Sequence, residues 1–105
     1  MRKLAFFAVF IVLGFLSMGC NVSSEARFRV NYQGNGNTYG YAHEDKNQYR
    51  YGDYAEVLDE NTLLKTGYTF RRWNTRADGS GESHEAGASI RIGGPVFLYA
   101  VWERN

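Results

Sequence analysis

Near its C-terminus the chain runs Val96-Phe97-Leu98-Tyr99-Ala100-Val101-Trp102, seven residues without a charge. In an extended strand Val96, Leu98, Ala100 and Trp102 share one face, and Phe97, Tyr99 and Val101 share the other. A strand that is apolar on both faces is expected to lie centrally in a sheet, covered on each side. That requirement leaves little freedom in 105 residues, which is room for one domain. The composition agrees: 12 Gly, 8 Tyr and a single Pro suit a β-rich domain better than a helical bundle. The 12 Lys+Arg nearly cancel the 11 Asp+Glu, which argues against a broad basic surface for nucleic acid and against an acidic tail.

The rest of the chain reads as short strands between turns. Arg27 to Tyr32 alternates, with Phe28, Val30 and Tyr32 on one side. Gly34-Asn35-Gly36-Asn37 then signals a turn. Thr38 to Asn47 is polar and aperiodic, a loop or an irregular hairpin arm. Gln48 to Tyr51 alternates as a second strand, and Tyr54 to Leu58 resumes after Gly52-Asp53. Asp59 to Lys65 could form one or two helical turns from an Asp59 cap, ending before Gly67. Tyr68 to Asn74 is the next strand. Phe70 and Trp73 are three apart, so a β-bulge at Arg71-Arg72 is needed to bring both inward. Asp78-Gly79-Ser80-Gly81 is a turn, and Ile90 and Ile92 alternate with Ser89 and Arg91. Phe28, Phe70, Trp73, Leu98 and Trp102 are the expected core anchors, each contributing about 2–3 kcal/mol of burial.

The N-terminus speaks to location. Arg2 and Lys3 precede an uncharged stretch from Leu4 to Met18. It is shorter than the ~20 residues of a membrane span and has the length of a signal-peptide core. Leu16-Ser17-Met18-Gly19-Cys20 resembles a bacterial lipobox, although Ser17 stands where Leu is usual, and Cys20 is the only cysteine in the chain. That resemblance implies residues 1–19 as a lipoprotein signal peptide, 20–26 as a lipidated tether, and 27–105 as a single domain. A diacylglyceryl group and an N-acyl chain on Cys20 would be the only added groups, with no other cofactor and no metal. Two or three acyl chains make a stable anchor, at about 0.8 kcal/mol per buried methylene. Asn21, rather than Asp, after the cysteine favours the outer membrane over the inner.

From residue 67 the residues form a connected string: Gly67-Tyr68-Thr69-Phe70, Trp73-Asn74-Thr75, Asp78-Gly79-Ser80-Gly81 and Leu98-Tyr99-Ala100-Val101-Trp102. Upstream stand Phe28 to Tyr32, Gly34-Asn35-Gly36 and Tyr51-Gly52-Asp53. This set resembles the Listeria–Bacteroides repeat, also called the internalin B-repeat. The resemblance spans Arg27 to Trp102. It implies a mainly β domain, α+β at most, of the small ubiquitin-like β-grasp type, with a mixed sheet and a helix that is short or absent. Two positions depart from the pattern: Arg72 stands where Gly is usual, and Leu58-Asp59 stands for Leu-Pro. Gly67, Tyr68, Phe70, Trp73, Asp78, Gly79, Leu98, Tyr99 and Trp102 are the motif positions.

No catalytic constellation accompanies this pattern. His43-Glu44-Asp45 and His84-Glu85 lack metal-ligand spacing and read as solvated loops. There is no nucleophile elbow and no phosphate loop. The Arg71-Arg72 pair reads as a solvated strand face rather than an anion site. Tyr39, Tyr41, Tyr49 and Tyr51 are the candidate binding residues, because tyrosines beyond what a core needs make low-entropy contacts. The expected role is a non-catalytic, lipid-anchored envelope protein acting in adhesion or protein interaction. It would be monomeric, attached to the membrane through lipid and to an unknown protein or glycan through its domain. The alternatives are an inhibitor or accessory subunit of an envelope enzyme, and a glycan-binding module.

Overall fold

The computed structural model describes residues 26–105, so the expected signal peptide and Cys20 lie outside the described residues. The described strands are β1 (Val30–Gln33), β2 (Tyr54–Glu56), β3 (Tyr68–Asn74), β4 (Ser83–His84), β5 (Ser89–Arg91) and β6 (Val96–Arg104). Four of them form a mixed sheet in the order β1-β6-β3-β4, and β2 pairs with β5 as a separate ribbon. β1 runs parallel to β6, whereas β3 is antiparallel to both β6 and β4. No helix occurs among the described residues, so the domain is mainly β with a mixed sheet.

β6 is interior to the sheet, flanked by β1 and β3, as its two apolar faces require. Only one face is fully covered, however. Leu98 and Ala100 are completely buried, while Phe97 is 49% exposed and Tyr99 and Val101 are half-buried. The covering layer lies on one side: Ala55, Val57, Leu63, Ile90 and Ile92 join Val30, Tyr32, Trp73, Leu98 and Ala100 in one core. The expectation of cover on both faces is therefore corrected.

Phe70 and Trp73 are brought to the same side as expected. The register pairs Phe70 with Trp102 and then Arg72 with Val101, so Arg71 is the additional residue of a bulge. The two rings meet edge to face at 5.1 Å, and Phe70 meets Trp102 at 5.9 Å. Arg72, where the family pattern has Gly, stays outside and pairs with Glu85 at 3.1 Å.

The sequence expectation fails at one further place, residues 48–51. Residues 59–65, where the helix is expected to be short or absent, form turns. The Leu58 carbonyl accepts the Trp73 indole N–H at 2.8 Å, which fixes the entry to this segment. Asp59 Oδ1 accepts the Asn61 N–H, Asn61 takes a φ of +56°, and Leu63 N–H closes a turn on Glu60 C=O. Residues 48–51 do not form a strand: Tyr49 alone exchanges two 2.8 Å backbone bonds with Phe28. That register would next set Asn47 opposite Val30. The Asn47 N–H is instead taken by Asp45 Oδ1 at 3.0 Å, an Asx turn that carries the arm away from β1.

Trp73 is completely buried, but Trp102 is only half-buried, with its N–H on Gly34 C=O at 2.9 Å. Trp73→Ala should lower stability by about 3–5 kcal/mol and Trp102→Ala by distinctly less. Trp73→Phe should still cost about 1–3 kcal/mol, because it leaves the Leu58 carbonyl without its donor. Denaturant unfolding followed by far-ultraviolet circular dichroism measures the order; equal losses for the two alanine variants would refute it.

Candidate functional site

The four candidate binding tyrosines do not share one place. Tyr39, Tyr41 and Leu64 form one group, exposed by 64%, 82% and 63%. Tyr39 and Leu64 exchange two 3.0 Å backbone bonds, which sets them opposite each other. Tyr41 lies two residues along the same arm, and its N–H donates to Thr62 Oγ1 at 2.9 Å. Between them, Gly40 has a φ of +85° and packs directly on the Thr62 carbonyl, so no side chain fits there. The arm is thus held by its backbone while its aromatic side chains face solvent.

Tyr51 and Tyr54 form a second group at the β2–β5 ribbon. Tyr54 pairs with Arg91 across the ribbon, and the Arg91 guanidinium lies 5.5 Å from the Tyr51 ring centre. Tyr49 belongs to neither group. It is half-buried against the core, and its hydroxyl donates to Asp45 Oδ2 at 2.7 Å. Burial, and then that carboxylate, push the Tyr49 hydroxyl above its ordinary pKa.

Asp45, which sequence patterning did not single out for binding, is 92% buried by the complement of its 8% exposure. It lines a groove of about 520 Å³ with Tyr41, His43 and Glu44 on one wall and Arg29 to Gly34 on the other. The signal for it was present: Asp45-x-Asn47 is an Asx-turn spacing, and such a turn interrupts a strand. His43 Nε2 lies 2.7 Å from Asp59 Oδ1, joining this wall to the turn after Leu58.

The other candidates are dispersed. His84 approaches Glu82 at 3.4 Å, and Glu85 is engaged by Arg72. Among the described residues no three His, Cys, Asp or Glu side chains converge as a metal site. Arg71 is paired with Glu103 at 2.6 Å, so the two arginines are each matched by a carboxylate. No helix of the described residues is long and apolar enough to cross a membrane.

The motif positions have structural work. Gly67 and Gly79 take φ values of +83° and +81° in the turns before and after β3. Asp78 Oδ1 accepts from Ser80 Oγ at 2.7 Å and from its N–H at 3.0 Å. Tyr68 lies under the Lys65 ammonium at 4.3 Å. Asn74, 1% exposed, holds the following loop by accepting the Arg76 and Gly81 N–H groups, each at 2.9 Å.

The family model of the Listeria–Bacteroides repeat domain matches residues 28–101. The chain belongs to this family. It is a family of non-enzymatic repeats. A protein of Evansella cellulosilytica named "Putative Gly-rich membrane protein" is 52% identical over 56 residues, covering 52% of this chain and 6% of its own length. A second, named "Putative membrane protein" from the same organism, is 39% identical over 79 residues, covering 74% of this chain and 12% of its own length. The chain thus spans a small fraction of either relative. No solved structure matches it.

The titrating groups bound the stable pH range. Asp59 is held below the ordinary carboxylate pKa, first by the Asn61 N–H and then by His43; Asp78 is held below it by the Ser80 hydroxyl and N–H. Each therefore favours the fold above its ordinary pKa, and the benefit is lost as pH falls through the lowered one. Burial raises the hydroxyls of Tyr32 and Tyr49, so their contribution holds below about 10 and is lost as pH rises through the raised values. Melting temperature should be level between about pH 5 and 9 and fall on both sides. Asp59→Asn with Asp78→Asn should flatten the acid limb alone; an unchanged acid limb would refute the assignment.

Proposed function

We propose that this protein is a non-catalytic, lipid-anchored envelope protein that presents one Listeria–Bacteroides repeat for protein interaction. The observation that carries the reading is the arm bearing Tyr39, Tyr41 and Leu64. Its backbone is tied to residues 62–64, yet three large apolar side chains face solvent. Residues that a core does not use, fixed on a rigid backbone, lose little entropy on contact. An adhesive contact or an accessory-subunit contact would use the same arm. The envelope location draws support from the names of the two relatives, both membrane proteins. The anchor is Cys20, carrying diacylglyceryl and N-acyl groups, with the outer membrane favoured by Asn21. Nucleic acid is not a partner, and the chain is a monomer.

Cys20→Ala should abolish fatty-acid labelling and release the protein from the membrane fraction. A Cys20→Ala form that still fractionates with membranes after processing would refute the lipid anchor.

Tyr39→Ser with Tyr41→Ser should leave the melting temperature within about 2 °C, since both rings are exposed. The same change should reduce in-cell photo-crosslinking from a probe amino acid placed at Leu64 at least tenfold. Crosslinks that persist undiminished would move the contact away from this arm.

A further inference from the structure

Among the described residues, the edge of β1 away from β6 has no strand beside it. Within a strand, successive residues direct their N–H and C=O groups to opposite edges. Val96 N–H donates to Arg29 C=O at 3.1 Å, so Arg29, Asn31 and Gln33 carry the parallel ladder to β6. Phe28, Val30 and Tyr32 therefore direct their N–H and C=O groups to the other edge, where Val30 and Tyr32 are 2% and 8% exposed. Phe28 is matched there by Tyr49, and the Asx turn at Asp45 then leads the arm off before it reaches Val30 and Tyr32. The 520 Å³ groove lies where that pairing would have been. On its far wall Ala42 and Glu44 make no hydrogen bond to another described residue.

The groove also holds a charge without a counterion. Asp45 accepts from Asn47 N–H at 3.0 Å and from Tyr49 hydroxyl at 2.7 Å, but forms no ion pair among the described residues. A carboxylate 92% buried is stabilised by an incoming cation more than an exposed one is. Glu44, exposed on the same wall, adds a second negative charge. Arg29 and His43 are the basic residues that line the groove, and His43 is already engaged by Asp59 at 2.7 Å.

The geometry points to this groove as the seat of a short extended peptide bearing a lysine or arginine. Its backbone pairs with the outward N–H and C=O groups of Val30 and Tyr32, and its cationic side chain reaches Asp45. The partner thus adds a strand to the sheet. This rests on the protein-interaction reading above and names the partner class for it.

The probe is a fluorescein-labelled, amidated heptapeptide Thr-Val-Thr-Lys-Thr-Val-Thr, set beside its Lys→Glu counterpart and a version methylated on alternate backbone nitrogens. Binding to the full chain in mild detergent is read by anisotropy, and amide hydrogen exchange is read by mass spectrometry. The lysine peptide should bind at least tenfold more tightly than the glutamate peptide, and methylation should abolish binding. Exchange should slow across Val30 to Gln33. Glu44→Lys, on an exposed residue, should weaken the lysine peptide and leave the melt unchanged. Asp45→Asn should weaken it further; if that variant does not fold, the Glu44→Lys result and the peptide charge series decide. Equal binding of the two peptides, no binding at millimolar peptide, or protection elsewhere would overturn the proposal. Leu64 crosslinks that persist in that case would leave the interaction reading standing, whereas their loss from the unaltered protein would remove that reading.

Discussion

Both backbone polar groups of Leu58 are held by aromatic side chains of the main sheet. Its N–H donates to the Tyr32 hydroxyl at 2.9 Å, and its C=O accepts the Trp73 indole N–H at 2.8 Å. The two rings meet edge to face at 4.9 Å, a geometry that favours the positive edge of one over the negative face of the other. One residue thus joins β1, β3 and the segment that follows β2. The clamp adds to the bonds that Val57 makes with Ala88 C=O at 2.8 Å and Gly87 N–H at 2.7 Å in seating the lid of the core. A buried aromatic with a polar edge does what an aliphatic residue of equal size could not: it fills volume and also fixes direction.

The bulge at Arg71 follows from the same demand. Strict alternation would send either Phe70 or Trp73 outward. One additional residue in β3 puts both on the inner face against Trp102 and Tyr32. The displaced charges then lie on the outer face, where Glu103 and Glu85 meet them. These exposed pairs add little to stability. Their position is a consequence of the aromatic packing, and Arg72 is tolerated at a usual glycine position for that reason.

Much of this was legible in the chain. β3 and β5 fall where period-two alternation placed them, and the bulge follows from the three-residue spacing of two large aromatics. What escaped was decided by single side-chain hydrogen bonds that no periodicity encodes. Residues 59–65 carry acceptable helix signals, yet Asp59 Oδ1 takes the Asn61 N–H, Asn61 adopts a φ of +56° and Leu63 N–H closes on Glu60 C=O, so no helix starts. Residues 48–51 alternate, yet Asp45 has already bent the arm away from its partner. The two-residue β4 has too few residues for a pattern at all. The candidate tyrosines were countable in the sequence, but their division between an open arm, a ribbon and a half-buried prop depends on tertiary contacts.

The Asx turn at Asp45 has an energetic counterpart. Letting residues 45–47 pair with β1 would have added backbone bonds and closed an open edge, and closed edges are what small β domains ordinarily favour. The chain instead keeps Asp45 nearly buried, gives its two oxygens to Asn47 and Tyr49, and leaves Val30 and Tyr32 facing a groove. A lone buried carboxylate is unfavourable relative to an asparagine or serine that could make the same turn. A cation that arrives with a partner strand would supply both the missing charge and the missing backbone bonds at one place.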